Sequence, residues 1–456
     1  LQLPPVHDII RDDHWLRSRS DGRYLLLRGV CFGPSAKLPP NLPFKSQSDW
    51  TRFETYIDLL KACGFTTLRL PFFWSAFEPM CDPTQPQYNE EYINDFFEYI
   101  RLFGSKGFLV IIDVHQDLVG TAFGGSGMPE WVFSEGVRSK AFLRDTPLWG
   151  ANYAFNANLR KTFTDFWNND LTNRSAGLEH FKVRDRFLEM IDRLAERAAT
   201  IDRVIGIEVL NEPHPAMLDP KKFEEEILPE FYAGAIARIR KHSPYLFALL
   251  SPQSDWNVNL RSEKDYDSLL KMPREDDRVI FAYHYYDSQL TALSGRLFHD
   301  AKRDEYIEAQ FIGAERAREK NMVPFLTEFG TRQNWRSAVV RKHMDWQFEA
   351  VEQALVNATY WNINLYNTRE RLDGFMREDF SLIGYNKKIR NLDVATRPYV
   401  MAASAEPVHM HFNLRTKEFK LVLRGKPVDA PTIIYVPRVQ EHPFQPVHYE
   451  SGMEIT

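Results

Sequence analysis

Short apolar runs, each stopping at a cluster of polar residues, recur along this chain at Tyr24 to Phe32, Thr66 to Phe72, Phe108 to His115, Val204 to Asn211, Leu246 to Leu250, Val279 to Tyr285, Val323 to Phe329 and Ala358 to Asn364. Runs of this length without strict alternation read as strands buried on both faces, the signature of a parallel sheet. Between them, segments such as Asp49 to Cys63, Asn89 to Lys106, Val183 to Ala199, Lys222 to Lys241, Asp304 to Lys320 and Arg341 to Val356 carry apolar residues at helical spacing. Strand followed by helix, eight times over, predicts parallel strands joined by right-handed crossovers and closed into a barrel. The fold class expected is α/β, a (β/α)8 TIM barrel over residues 1–395. No GxGxxG or Walker-type loop follows any run, which argues against an open doubly wound sheet. Beyond about Arg397 the pattern changes to PVHMHFNL, EFKLVLRG and PTIIYVP, short runs separated by turn residues, and predicts a small C-terminal β-sandwich domain over 396–456.

Composition narrows the functional classes. With 456 residues, 44% of them hydrophobic, the chain can bury one large core and an accessory domain. A formal net charge of −5 leaves no basic excess to pair with a phosphate backbone, so no nucleic-acid partner is expected. Three cysteines, Cys31, Cys63 and Cys81, stand without CxxC or Cys/His ligand spacing, so neither a disulfide framework nor a zinc site is indicated. His409 and His411 alternate on a run, but no third ligand accompanies them, and no metal or other cofactor is expected. No apolar stretch reaches the roughly 18 residues a membrane span needs. The first residues lack a charged start and apolar h-region, and the expected location is cytoplasmic or intracellular, peripheral to membranes.

The chemistry lies where the runs stop. Glu212 follows VIGIEVLN and Glu328 lies in VPFLTEFG. Parallel strands deliver their last side chains to one end of a barrel, so these two carboxylates can face each other. Opposed carboxylates, one an acid and the other a nucleophile or base, are the minimum equipment for glycoside hydrolysis. Other strand ends carry Arg69, His115 with Gln116 and Asp117, Asn211, His284 with Tyr286, and Trp361. Glu212 has to hold a proton for the glycosidic oxygen, whereas Glu328 has to stay ionised, which Arg69 and the Tyr286 hydroxyl would favour. Asn211 offers an amide to a sugar 2-hydroxyl, His115 and His284 would orient these groups, and Trp361 presents a flat face for a pyranose ring. Retention of anomeric configuration follows if the carboxyl groups stand about 5–5.5 Å apart.

At these residues the chain resembles glycoside hydrolase family 5, whose set is an arginine, a histidine, an Asn-Glu pair, a His-x-Tyr pair, a second glutamate and a tryptophan in this order. Within that family, HQD at 115–117, FGGSGMPEW at 123–131, SAK ending at Lys37 and NEPHP at 211–215 resemble the branch of endoglycoceramidases, fungal glucosylceramidases and steryl-β-glucosidases. The resemblance implies cleavage of a β-linked sugar from a lipid aglycone, with Asp117 and Lys37 binding sugar hydroxyls and the loop 118–150 shaping the aglycone entrance. The segment LDGFMREDFSL, 372–382, departs from that pattern by lacking a tryptophan.

Each residue also has a plainer reading. A glutamate after a strand commonly starts a helix or pairs on the surface, and a lone histidine or tryptophan commonly belongs to the core. The ordered set on successive strands outweighs those readings, while from the residues alone Asp117, Lys37, Trp74, Glu130, Trp131 and Tyr153 stay open between substrate contact and loop scaffold. Leu118, Val119, Phe123, Met128, Trp131, Val132, Phe133, Phe142 and Leu148 crowd one loop, and those left exposed would form a patch suited to a sterol or ceramide and to a membrane surface. The expected function is a retaining β-glucosidase for a steryl glucoside or glucosylceramide, with a glycolipid as its partner and no stable protein partner. The alternatives are an endoglycoceramidase, an endo-β-glucanase, or a catalytically silent glycolipid-binding barrel.

Overall fold

The computed structural model describes residues 3–80, 87–133, 149–169, 182–254, 276–287, 303–333 and 337–437. In chain order its strands are β1 (Ile9–Asp12), β2 (Trp15–Ser18), β3 (Tyr24–Leu25), β4 (Arg28–Phe32), β5 (Thr67–Phe72), β6 (Leu109–Val114), β7 (Val204–Glu208), β8 (Phe247–Leu250), β9 (Val279–Tyr285), β10 (Val323–Phe329), β11 (Asn357–Ile363), β12 (Tyr399–Ala403), β13 (Glu406–Phe412), β14 (Phe419–Arg424) and β15 (Ile433–Tyr435). Strands β4 to β11 pair in parallel and close into a barrel in the order β10-β11-β4-β5-β6-β7-β8-β9. Every residue of these eight strands is buried, which is why they read as unbroken apolar runs.

The surrounding helices start where the sequence supplies caps. Ser46 accepts the Asp49 amide ahead of Gln47–Ala62, and Asn89 accepts the Tyr92 amide ahead of Glu90–Ser105. Their buried stripes, Phe53, Ile57 and Leu60 on the first and Ile93, Phe96, Phe97 and Ile100 on the second, join the barrel's outer core. Among the described residues no helix is long and apolar enough to cross a membrane.

The first predicted strand, Tyr24 to Phe32, proves to be two. Tyr24–Leu25 pairs with β2 and β12, whereas Arg28–Phe32 enters the barrel. Between them the chain changes sheets, the Leu26 amide bonding to Met401 O (3.2 Å) and the Leu27 amide to Asn357 Oδ1 (2.8 Å). Among the described residues the accessory domain thus comprises a five-stranded antiparallel sheet, β1-β2-β3-β12-β15, and the hairpin β13-β14, so strands from both the N-terminal and the C-terminal part of the chain build it. Leu16, Leu25 and Leu27 pack with the inward Leu109, Ile111, Ile205, Phe247, Leu249, Ile280 and Phe325, sealing one end of the barrel with apolar side chains. Arg397 ties the domains together, binding Glu352 (2.6 Å) and Asp345 (2.6 Å) of the helix Ser337–Gln353 and the Phe412 carbonyl (2.8 Å) of β13.

Candidate active site

The opposite end of the barrel carries charge. Arg69 was placed by the sequence at the end of its strand, but β5 continues through Leu70, Pro71 and Phe72, each paired with β6. Arg69 therefore points into the barrel interior, where its guanidinium forms the hub of the site. Its Nε donates to Glu208 Oε2 (2.7 Å), Nη1 donates to Glu328 Oε1, Nη2 donates to Asn211 Oδ1 (2.9 Å), and Asp113 Oδ1 lies 3.1 Å from Nη2. A planar fork suits this division of bonds among neighbours better than a lysine would.

Around that hub the structure assembles the predicted residues. Tyr286 Oη donates to Glu328 Oε2 (2.8 Å), and His284 Nδ1 lies 2.8 Å from Glu212 Oε1 and 3.6 Å from Glu328 Oε2. One oxygen each of Glu212 and Glu328 lie within 4.8 Å of one another. His115 Nδ1 meets Asp113 Oδ2 (2.7 Å) and Nε2 meets Asp117 Oδ2 (3.2 Å), which in turn binds Lys37 Nζ at 2.7 Å. The His115 ring lies parallel to the Trp361 indole with centroids 6.0 Å apart, and the Lys37 ammonium sits 4.7 Å from the indole centroid.

Local backbone explains how the glutamate pair meets. β7 stops at Glu208, three residues short of the predicted end at Asn211, and Glu212 follows in a left-handed conformation, φ 46°. That conformation is unfavourable for a residue with a Cβ, and Gln116 holds it in place, its Nε2 donating to the carbonyls of Asn211 and Glu212 (both 3.0 Å). The Gln116 Oε1 also accepts the amide of Val119, itself left-handed at φ 67°. Gly125 permits the loop to fold back onto Asp117, since a Cβ there would stand 1.9 Å from the Asp117 carbonyl oxygen.

Trp74, Trp131, Tyr153 and Glu130 make scaffold contacts. The Trp74 indole donates to Glu78 Oε2 (3.0 Å), the Trp131 indole donates to Glu78 O (2.8 Å), and the two rings meet edge to face. Tyr153 Oη accepts the Leu118 amide (2.8 Å) while its ring stacks on His214, and Glu130 accepts the Thr121 hydroxyl (2.6 Å). The apolar loop patch expected from the sequence is corrected here. Leu118, Val119, Phe123, Met128, Val132 and Phe133 are all buried and Trp131 is partly so, because they form the loop's own core against the barrel. Phe142 and Leu148 lie outside the described residues.

The electrostatics favour an ionised Glu328. Burial opposes charge on Glu328, but His284, Arg69, His115 and Lys37 outweigh it and hold its carboxyl below the ordinary carboxylate range. Asp117 is held well below that range by Lys37 and His115, again against burial. Burial likewise opposes charge on His115, yet Asp113 and Asp117 push its pKa up to about 9, and Glu328, Glu208 and Glu212 push His284 up to about 10.

A raised histidine pKa stabilises the fold fully below its unfolded value, about 6.5, and loses that contribution as pH rises through the folded value. Unfolding free energy is therefore expected to decline as pH rises from about 6.5 towards about 9 and 10. Urea titrations should show that decline, flattened in His115→Asn; a midpoint unmoved by pH across this window would mean both rings fold neutral.

By distance alone, Asp113, His115 and Glu328, or Glu212, His284 and Glu328, could share a metal ion. Glu328 belongs to both groups and is already bound by Arg69 and Tyr286, so the positive charge this donor set requires comes from side chains. On the C-terminal hairpin, His411 binds Glu349 Oε1 (2.8 Å), and its ring centroid stands 6.5 Å from that of His409.

Asp113 and Glu208, missed by sequence reading, hold the others in place, as does Gln116, which the sequence names at its strand end without a role. Asp113 is two residues before His115 and so shares its side of the strand, a period-two signal that was readable. Glu208 closes VIGIE as a lone charge in an apolar run.

Comparison with known proteins places this geometry in a family. The profile Cellulase (glycosyl hydrolase family 5) matches residues 39–367, and the glycoside hydrolase family 5 C-terminal domain matches 397–451. Endoglycoceramidase I of Rhodococcus hoagii (strain 103S) is 26% identical over 95% of this chain and 79% of its own length. A glucosylceramidase of Rhizopus delemar is 30% identical over 43% of this chain, and ergosteryl-beta-glucosidase of Saccharomyces cerevisiae is 25% identical over 42%; these matches span 34% and 33% of those two proteins. The fold superposes on endo-glycoceramidase II from Rhodococcus sp. with a TM-score of 0.70 at 22% identity, covering 94% of this chain and 89% of that one. With both its barrel and its C-terminal sheet domain matched, the chain belongs to glycoside hydrolase family 5 and is a glycosidase.

Proposed function

We propose that the chain is a retaining β-glucosidase acting on a lipid-linked glucoside, with Glu328 as nucleophile and Glu212 as acid/base. The observation that carries the mechanism is the approach of the two carboxylates, within 4.8 Å oxygen to oxygen. Inverting enzymes hold their carboxyl groups about 6.5–9.5 Å apart to admit a water, whereas retaining ones hold them at about 5–5.5 Å so that one attacks the sugar directly. Glu328, ionised and bound by Arg69 and Tyr286, attacks the anomeric carbon as Glu212 gives its proton to the departing oxygen. Glu212 then takes a proton from the water that releases the sugar from Glu328. Asn211, fixed through Arg69 and through its own Nδ2 to Gln116 O (3.1 Å), is available to the sugar 2-hydroxyl.

The lipid aglycone is supported by the relatives, named for activity on ceramide and sterol glycosides. A second reading, endo-cleavage between an oligosaccharide and ceramide, is favoured by coverage, since the endoglycoceramidase match runs over 95% of the chain. Presentation of the substrate at a membrane surface, inside the cell, belongs to the same proposal. Incubation in detergent with steryl glucoside, glucosylceramide, lactosylceramide and a soluble β-glucan tests both readings. Free glucose from either of the first two is expected. Intact lactose from the third would move the assignment to an endoglycoceramidase, and oligosaccharides released only from the glucan would remove the lipid aglycone altogether.

A further inference from the structure

The segment that lacks the expected tryptophan, 372–382, supplies a different group to the site. Leu372, Met376 and Arg377 adopt φ of 54°, 52° and 51°, and Gly374 adopts 91°, folding the chain into a tight reversal after β11. Backbone bonds close it, Asp373 N to Glu378 O (2.9 Å) and Glu378 N to Phe375 O (3.2 Å). Asp373 organises the interior of the turn, its carboxylate accepting the Phe380 amide (2.9 Å) and Asn367 Nδ2 (3.1 Å). The flanking aromatics face the site, with the Lys37 ammonium 5.1 Å from the Phe375 ring centroid and Phe380 edge to face with Tyr286 at 5.7 Å.

Glu378 lies between those two aromatics. It is 8% exposed, and among the described residues its Oε2 has no hydrogen-bond partner. Burial disfavours its charge, and the charges next in influence are Lys37, Asp117, Arg332 and Glu328, residues of the site or beside it. The turn is closed by Asp373 and by backbone bonds, so among the described residues nothing in it uses this oxygen. A buried carboxylate oxygen left without a donor is costly unless a ligand brings one.

We propose that Glu378 is a specificity-determining residue, whose Oε2 accepts a hydrogen bond from a hydroxyl of the sugar held against Lys37 and Asp117. The inference rests on the glycosidase reading above. A buried acceptor selects for the hydroxyl it meets, because an analogue lacking that hydroxyl leaves the acceptor unpaired.

The test compares kcat/KM of wild type and Glu378→Gln on 4-nitrophenyl β-glucoside and its 3-, 4- and 6-deoxy analogues, with unfolding midpoints measured alongside. Wild type is expected to discriminate against one of the three by about 10- to 100-fold, and Glu378→Gln to lose that discrimination while keeping the other two ratios. A merely structural role would lower all rates together and leave every ratio unchanged, and that result would overturn the proposal. Should the glutamine variant not fold, Glu378→Asp, which keeps the carboxyl and withdraws it, is expected to weaken the same single ratio, and unchanged ratios there would overturn it equally. Absence of hydrolysis of the parent glucoside by wild type would instead sink the glycosidase reading, and this inference with it.

Discussion

Glu328→Gln is expected to lower turnover of every β-glucoside tested by on the order of 10⁴-fold or more, while the unfolding midpoint stays near that of wild type. The amide keeps the shape of the carboxylate, and Arg69 keeps Glu208 and Asp113 as partners, so the network around the hub survives. What is lost, on the proposed mechanism, is the negative oxygen that attacks the anomeric carbon. Glu212→Gln provides the contrast. It removes the proton donor, so substrates with poor leaving groups should lose activity about as severely, whereas dinitrophenyl glucosides, whose leaving group needs no proton, should still form the covalent intermediate. Added azide should then accelerate breakdown of that intermediate in the Glu212 variant by replacing the water that requires a general base. Equal losses in both variants on activated substrates, with neither rescued by azide, would show the two roles to be wrongly assigned.

Arg69→Met is expected to be the substitution in the site most damaging to stability. It leaves Asp113, Glu208 and Glu328 buried without the guanidinium that touches all three. Breaking a buried ion pair by removing one partner costs about 3–5 kcal/mol, and here a single side chain serves three carboxylates. Turnover should fall by at least about 10²–10³-fold, the scale of losing one preorganised electrostatic contact. The direction of the pH effect follows from the sign of the interaction. Arg69 helps to hold Glu328 below the ordinary carboxylate range, so its removal raises the Glu328 pKa and moves the acid limb of kcat/KM to higher pH. Arg69→Lys restores a charge but not the fork, and should recover part of the stability and less of the rate. Urea unfolding and pH–rate profiles of the two variants check this. An Arg69→Met protein as stable as wild type, with an unmoved acid limb, would mean that the buried carboxylates do not depend on the guanidinium.

The barrel was legible because strands buried on both faces cannot alternate, and eight apolar runs separated by helical periodicity leave few other closures. The glutamates, Asn211, the histidines and Tyr286 were legible for a related reason, being polar residues placed where those runs stop. Arg69 shows the limit of that reading. It lies within its strand, and only its partners Glu208 and Asp113, counted as parts of apolar runs, explain how a guanidinium is held there. The accessory sheet was read from the C-terminal runs alone, since β1 and β2, at four residues each, are too short to show a period. The loop after β6 misled in the opposite direction. Any of its apolar residues left exposed would have formed a patch, but a loop has no period to separate inward from outward positions, and Leu118, Val119 and Phe123 turn out to be its core. Glu378 was invisible for the same reason: Gly374 marks the turn, but the left-handed Leu372, Met376 and Arg377 that set its course carry no sequence signal.

The most direct measurement is to trap the intermediate. Incubating the protein with 2,4-dinitrophenyl 2-deoxy-2-fluoro-β-glucoside, then digesting it and sequencing the peptides by mass spectrometry, should locate one fluoroglucosyl group on Glu328, within VPFLTEFG. A label on Glu212 would reverse the roles. No label, together with a product of inverted configuration, would contradict double displacement at this pair of glutamates.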